Sequence, residues 1–421
     1  MGLISKAIPT LLRGVSQASD NTKQADHADI QDNADGNPVT GLTKRSGLQY
    51  ITNLSTSTLG NVHIQTINRD VNERYVAIFS NGNVKVYDID GTEKTVNKPD
   101  GTTYLNTSNP RSVMKTVTVA DFTFVVNTSI TTAMDSTESP YTQDVIGGNT
   151  ISLERQAIVF INQVSDKTTY SITVDGVTVT DDTTSDSTLS TSQVASDLKS
   201  GLDSGLTGFT ISRNGPVLWI RKNQGNDFNI EVSDTQGNTQ MTLVKESAQR
   251  FTDLPTVSPN GYIVEIKGDE STNFDNFYVK FVTNNGGAFE EGQWEESIKP
   301  GIQFKFNYDT MPHVLIRQAD GNFRFARVDG DTYTLSGVTY TLPKWGERTV
   351  GDLDSAPNPS FIGNKINNVL FFRNRLGFLS DDNVILSRAA EFFNFFPETV
   401  LSVIDSEPID VAASHTKVAI L

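Results

Sequence analysis

The sequence predicts a mainly β protein with a small α+β insert: a β-rich, platform-like region followed by the start of a β-propeller. Three observations carry this. Period-two alternation of apolar and polar residues dominates, punctuated by turn dipeptides such as Asn81-Gly82 and Asp175-Gly176. Helical periodicity is convincing in one place only, near residues 190–205. The stretch 361–397 holds eight of the 23 phenylalanines, in short apolar runs split by very short polar turns. That is how an antiparallel meander is written.

Taken in order, residues 20–46 are polar, rich in Asp, Asn and Gln, and read as irregular or wrapped on a neighbour. Strands follow at 74–79 and 83–88, joined by Ser80-Asn81-Gly82. Asn81-Gly82 suits a type I′ turn, which needs positive φ at both central residues. A further apolar strand covers 116–127, and the Ser/Thr/Gly-rich 128–150 reads as a linker. Strands are then expected at 156–161, 170–174 and 177–180, with Asp175-Gly176 as the hairpin turn. Ser190 and Gln193 form a capping-box signature ahead of Val194, Leu198 and Leu202 on one helical face, and Gly201 or Gly205 would end the helix. Strands resume at 209–212, 217–221 and 228–232. Residues 351–361 are Gly/Pro-rich and mark a boundary. Strands at 368–373, 376–380 and 383–388 then amount to three-quarters of a propeller blade.

These elements divide the chain into four parts. Residues 1–150 are the first part of the platform, with an N-terminal arm to about 46; 151–248 are the inserted α+β module; 249–350 are the second part of the platform; 351–421 are an incomplete first blade region. An echo links the platform parts. Gly82-Asn-Val-Lys-Val86 with Ile89-Asp-Gly91 matches Gly321-Asn-Phe-Arg-Phe325 with Val328-Asp-Gly330. It reads either as coincidence between two hairpins or as two related β-subdomains flanking the insert.

Composition narrows the function. Hydrophobic content is 36% and mean hydropathy −0.31, with no run of about 18 apolar residues to span a membrane. The N-terminal apolar stretch is broken by Lys6, Pro9 and Arg13 and is not read as a signal peptide. Cysteine is absent, which excludes disulfide, zinc-thiolate and cysteine-nucleophile chemistry. A formal charge of −16 argues against groove-type nucleic-acid binding. The basic clusters are small: Lys44-Arg45, Arg221-Lys222 and Arg373/Arg375.

Candidates for chemistry are weak. His27, His63, His313 and His415 show no metal-ligand spacing. Asp88-x-Asp90-Gly91 resembles a fragment of a calcium loop but lacks its twelfth-position Glu, and reads as a hairpin turn. The carboxylate pairs Asp269-Glu270, Glu290-Glu291, Glu295-Glu296 and Asp381-Asp382 could serve glycoside hydrolysis, but adjacent residues in turns would splay or stay solvated. No nucleophile-elbow, P-loop or dinucleotide fingerprint is present. The residues supply no catalytic, cofactor or metal site, and name no partner-contact residue.

The chain resembles the nozzle proteins, or tail tubular proteins B, of T7-like short-tailed phages. The segments that carry this are Gly14-Val-Ser-Gln17, GLTKRSGL at 41–48, INRD at 67–70, Asn109-Pro110-Arg111, VTVADFTFVVN at 117–127 and MPHVLIRQADGNF at 311–323. Strongest are FFRNRLGFLSDDNVILSRAAEFFNFFP at 371–397 and PIDVA at 408–412. The insert matches the family more in position and pattern than in residues. The resemblance implies a structural, non-catalytic virion protein of the tail, assembled in the host cytoplasm. It implies a hexameric ring below the adaptor (tail tubular protein A) ring, which forms the DNA ejection channel, helps dock tail fibres and contains a β-propeller. Viral DNA would pass without sequence-specific binding, and no cofactor is implied. Because family members are longer and 416–421 reads as a strand just beginning, the chain is expected to be the N-terminal part of a longer working protein. An acidic, polar lumen is the matching electrostatic expectation. The competing reading is a host-surface polysaccharide-processing enzyme of a phage tail; a receptor-binding fibre module, which would be trimeric, is a third.

Overall fold

A computed structural model describes residues 12–145, 149–185, 188–267 and 276–413. It falls into two units, 1–58 and 59–421. The chain is mainly β, with one long helix, as the alternation predicts.

In the first unit, Val15 bridges Ala28, and Ala34–Asn37 pairs antiparallel with Gly41–Lys44. The Asn37 side chain closes that hairpin by accepting the Val39 amide at 2.8 Å. This corrects the expectation of an irregular 20–46, since Asn37 and Gly41 (φ 79°) build a turn that composition hid.

The centre of the second unit is a five-stranded sheet in the order Val96–Asn97, Phe323–Ala326, His313–Arg317, Phe122–Asn127, Met114–Val119. Side chains alternate across it, so its two faces build two cores. Met114, Val125, Leu315, Phe323 and Phe325 meet Tyr75, Ala77, Phe79, Val84 and Val86 of the neighbouring sheet, His63–Asn68, Arg74–Ser80, Asn83–Asp88, Glu93–Lys94. Phe124, Val126, Val314, Ile316 and Ala326 face the other way, onto Trp345 and the phenylalanine-rich segment. The echoed motifs therefore lie on facing sheets of one core, Val84 and Val86 against Phe323 and Phe325, with Tyr75 edge-on to Phe323 at 5.0 Å.

Two local expectations change here. The apolar run 116–127 is a hairpin rather than one strand, because Ala120 turns at φ 52° between Val119 and Phe122. At Asn81-Gly82 only Gly82 has positive φ (65°), so the turn is not type I′. The reason is tertiary: Asn81 Oδ1 accepts the Thr107 amide at 3.0 Å and the Gly82 amide donates to Leu105 O at 3.1 Å. Asp175-Gly176 has φ 45° and 84°, as type I′ requires, and keeps that turn while the Asp175 amide donates to Asn229 O at 2.9 Å and its Oδ1 accepts the Asn229 amide at 2.9 Å.

Residues 128–140 are not a loose linker. Amides of Thr132, Asp135 and Ser139 donate to Asn364, Lys305 and Ile302 carbonyls at 2.8–2.9 Å. After the hairpin Thr142–Val145 with Asn149–Ser152, the strands Phe209–Asn214, Val217–Lys222, Gln156–Ile161 and Met241–Val244 form one sheet, and Val177–Asp182, Thr169–Val174 and Ile230–Asp234 another. The helix Thr191–Gly205 buries Val194, Ala195, Leu198 and Leu202 among them. Its capping box does not form: Ser190 gives no side-chain cap, and the Gln193 amide reaches the Ser190 carbonyl instead. Gln193 bonds Asp197 one turn on. Gly201 does not end the helix but lets it approach Val179, whose Cγ1 would lie 2.2 Å from an added Cβ. Ile158, Val217 and Val244 also pack on the mostly antiparallel sheet Ser247–Ala248, Ile263–Ile266, Phe277–Thr283, Phe289–Ser297, Val257–Pro259.

The meander expected near the C-terminus is present as Asn368–Phe372, Arg375–Ser380 and Asn383–Leu386, and gains a fourth strand, Ile409–Ala412. Its phenylalanines lock to the central sheet and to each other. Phe378 stacks on Phe395 at 5.0 Å, Phe361 meets both edge-on, and Phe393 packs on Phe124 at 5.5 Å. A complete propeller is not present among the described residues.

Candidate functional site

The sequence candidates that the structure describes are scattered. His63 bonds Thr116 Oγ1 at 2.7 Å; burial, then the Lys115 charge, lowers its pKa. His313 lies in the core between Tyr104 (3.9 Å, stacked) and Phe325, with Nδ1 3.0 Å from the Met311 carbonyl oxygen. Burial is the main cause pushing its pKa down to about 4. His27 lies in the first unit, and His415 lies outside the described residues. Among the described residues no group of three or more His, Asp or Glu could hold a metal ion.

Asp88 caps its own turn. Its Oδ1 accepts the amides of Asp90 (3.1 Å) and Thr92 (2.8 Å), and Lys94 pairs with it at 3.1 Å. Burial opposes ionisation, but these partners outweigh it and hold the carboxyl below its ordinary pKa. Asp320, at the place of Asn81 in the echoed motif, also caps its own turn, accepting the Asn322 amide at 3.0 Å.

Glu290-Glu291 and Glu295-Glu296 lie on the strand Phe289–Ser297 rather than in turns as expected, and strand alternation sends neighbours to opposite faces. Glu290 ties down the 284–288 turn through the Asn285 and Gly287 amides, while Glu291 is exposed. Glu296 accepts from Thr399 and Val400, whereas Glu295 faces solvent. Asp381 and Asp382 form a hairpin turn, with Asp381 at φ 49°. Asp269 and Glu270 lie outside the described residues.

The arginines do structural work. Arg375 is buried and donates to the carbonyls of Ser387 (2.7 Å), Asp405 (2.6 Å) and Glu407 (2.5 Å), pinning 405–407 to the meander. Arg388 pairs with Glu391 at 2.9 Å and with Glu398. Arg373 and Asn374 form the turn before Arg375 at φ 46° and 60°. Arg221 stacks on Trp219 at 3.8 Å, and Lys222 pairs with Asp175. Sequence reading missed Arg348. It is 1% exposed, and donates to Ala356 O (2.8 Å), Gln303 O (2.5 Å) and Asn358 Oδ1 (2.5 Å). Nothing local in the sequence announces it, since its acceptors come from two separate segments, Gln303 and the loop that holds Ala356 and Asn358.

One cleft of about 280 Å³ combines polar and apolar walls: Tyr141, Leu153, Glu154, Glu246, Ile263, Glu265, Tyr278 and Lys299. Glu265 accepts from Asn276 Nδ2 at 3.0 Å and Tyr278 OH at 3.3 Å. Burial, then Glu265, raises the Tyr278 pKa. The Glu265 partner in the cleft's lining holds the Tyr278 phenol protonated rather than activating it as a nucleophile.

What the sites share is a structural role, and comparison with known proteins agrees. The bacteriophage nozzle protein family model matches residues 1–421. The chain belongs to this family. It is also 35% identical over 436 aligned positions to tail tubular protein gp12 of Escherichia phage T7, covering all of this chain and 51% of that protein. The chain thus spans about half the length of the curated relative it matches. The polysaccharide-processing alternative finds no support in this relationship.

Proposed function

We propose that this nozzle-family chain is a structural, non-catalytic component of a phage tail. In this reading six copies form a ring below the adaptor ring, frame the DNA ejection channel and help dock tail fibres. The family match along the whole chain is the observation that carries it. The −16 charge suits a conduit, because a negative wall repels DNA rather than releasing its counterions. The protein would assemble in the host cytoplasm and reside in the virion tail.

The domain reading belongs to the same proposal: a platform of 1–150 and 249–350, a module at 151–248, and a propeller's first blade within 351–421. The four-stranded antiparallel meander supports the last part. Gold-labelled antibody against this chain tests the reading on intact virions by electron microscopy. Label at the tail is expected; label confined to the capsid would overturn it.

A further inference from the structure

One buried cation of the second unit has no counter-charge. Phe122, Ile316 and Arg324 stand in register on three adjacent strands of the central sheet, so their side chains form a row on one face. The hairpin Thr332–Leu335 with Val338–Thr341 sets Tyr333 and Tyr340, stacked at 5.4 Å, against this row. The Arg324 guanidinium lies 4.3 Å from the centre of the Tyr333 ring. Arg324 is 7% exposed and its Nε is buried without a hydrogen-bond partner. Among the described residues no carboxylate pairs with it. The face of one tyrosine offsets part of the cost of burying a charge, but gives the in-plane N–H groups no acceptor.

Phe122, Ile316, Tyr333 and Tyr340 also line a cleft of about 370 Å³. Gln318 belongs to the same wall. It is 6% exposed, and its side-chain amide has no hydrogen-bond partner among the described residues. The other charges at this cleft are matched: Arg69 pairs with Asp121 at 3.2 Å and with Glu73 at 2.9 Å, and Arg317 pairs with Glu73 as well. These two arginines and two carboxylates cancel, so Arg324 leaves one positive charge, in a chain of formal charge −16.

We infer that this cleft binds the carboxylate of a small organic acid, held by Arg324 and Gln318, with the apolar body of the acid on Phe122 and Ile316. A carboxylate matches the planar guanidinium fork and carries the single negative charge that balances the site; the Gln318 amide donates to the same group. Phosphate, more highly charged and without an apolar body, fits less well. The inference goes beyond the tail reading and does not depend on it.

A ligand-observed NMR titration of the full chain tests it, with benzoate as the probe and with benzamide and inorganic phosphate as neutral and more highly charged comparisons. Benzoate is expected to bind once per chain with a dissociation constant below about 1 mM, and the other two at least about tenfold more weakly. Arg324→Met should abolish benzoate binding. Gln318→Leu should weaken it about tenfold, and carries the test if the methionine variant fails to fold. No saturable benzoate binding, benzamide or phosphate binding as tightly as benzoate, or a folded variant that binds like the wild type would each overturn the inference.

Discussion

Replacing Arg348 with methionine removes three donors from a buried site while keeping much of the side-chain volume. Charged donors contribute about 2 kcal/mol per bond, so loss of the bonds to Ala356, Gln303 and Asn358 costs about 6 kcal/mol before compensation. Against this stands the cost of burying the charge. Burial lowers the guanidinium pKa from its ordinary value to about 10, opposed in part by Asp352. After a discount for solvent screening that offset is about 2 kcal/mol. A net loss of about 3–4 kcal/mol follows, enough to raise the open population of the 352–360 loop roughly 100- to 1,000-fold. Limited proteolysis within that loop reads this population directly when opening is fast relative to cleavage. Arg348→Lys should rescue little, because one ammonium cannot reproduce the planar fork. Cleavage of the methionine variant within about threefold of wild type would refute the account of Arg348 as the clasp of this loop.

Other outcomes follow from the same structure. His313 is neutral in the fold, with its pKa depressed to about 4 from 6.5, so unfolded chain takes up the proton first as pH falls. Stability present above pH 6.5 should decline between pH 6.5 and 4, by roughly 3 kcal/mol, and His313→Phe should flatten that slope in urea unfolding. At Gly292 an added Cβ would lie 2.1 Å from the Val282 carbonyl oxygen, so Gly292→Ala should separate Phe277–Thr283 from Phe289–Ser297 and cost about 3 kcal/mol, seen as lost amide protection there. Phe395→Ala opens the stack with Phe378 and Phe361 and should cost about 3–5 kcal/mol in thermal unfolding.

Legibility in the sequence followed the range of the interactions. Strands such as Asn83–Asp88 and Gln156–Ile161 were readable because alternation is local, and the helix because Val194, Leu198 and Leu202 recur on one face. The turn at Asn81-Gly82 was misread because Thr107 and Leu105, distant in sequence, decide its shape. Ile409–Ala412 escaped because four exposed residues carry no burial pattern and become a strand only by pairing with Asn383–Leu386. Arg348 was not legible, since its three acceptors converge only in the fold.

The claim that this chain works by assembly is tested most directly by single-particle electron microscopy of the purified protein. The account predicts six-fold rings with an open central pore and a negative lumen. Monodisperse monomers at high concentration, or a closed assembly with a strongly positive interior, would contradict it.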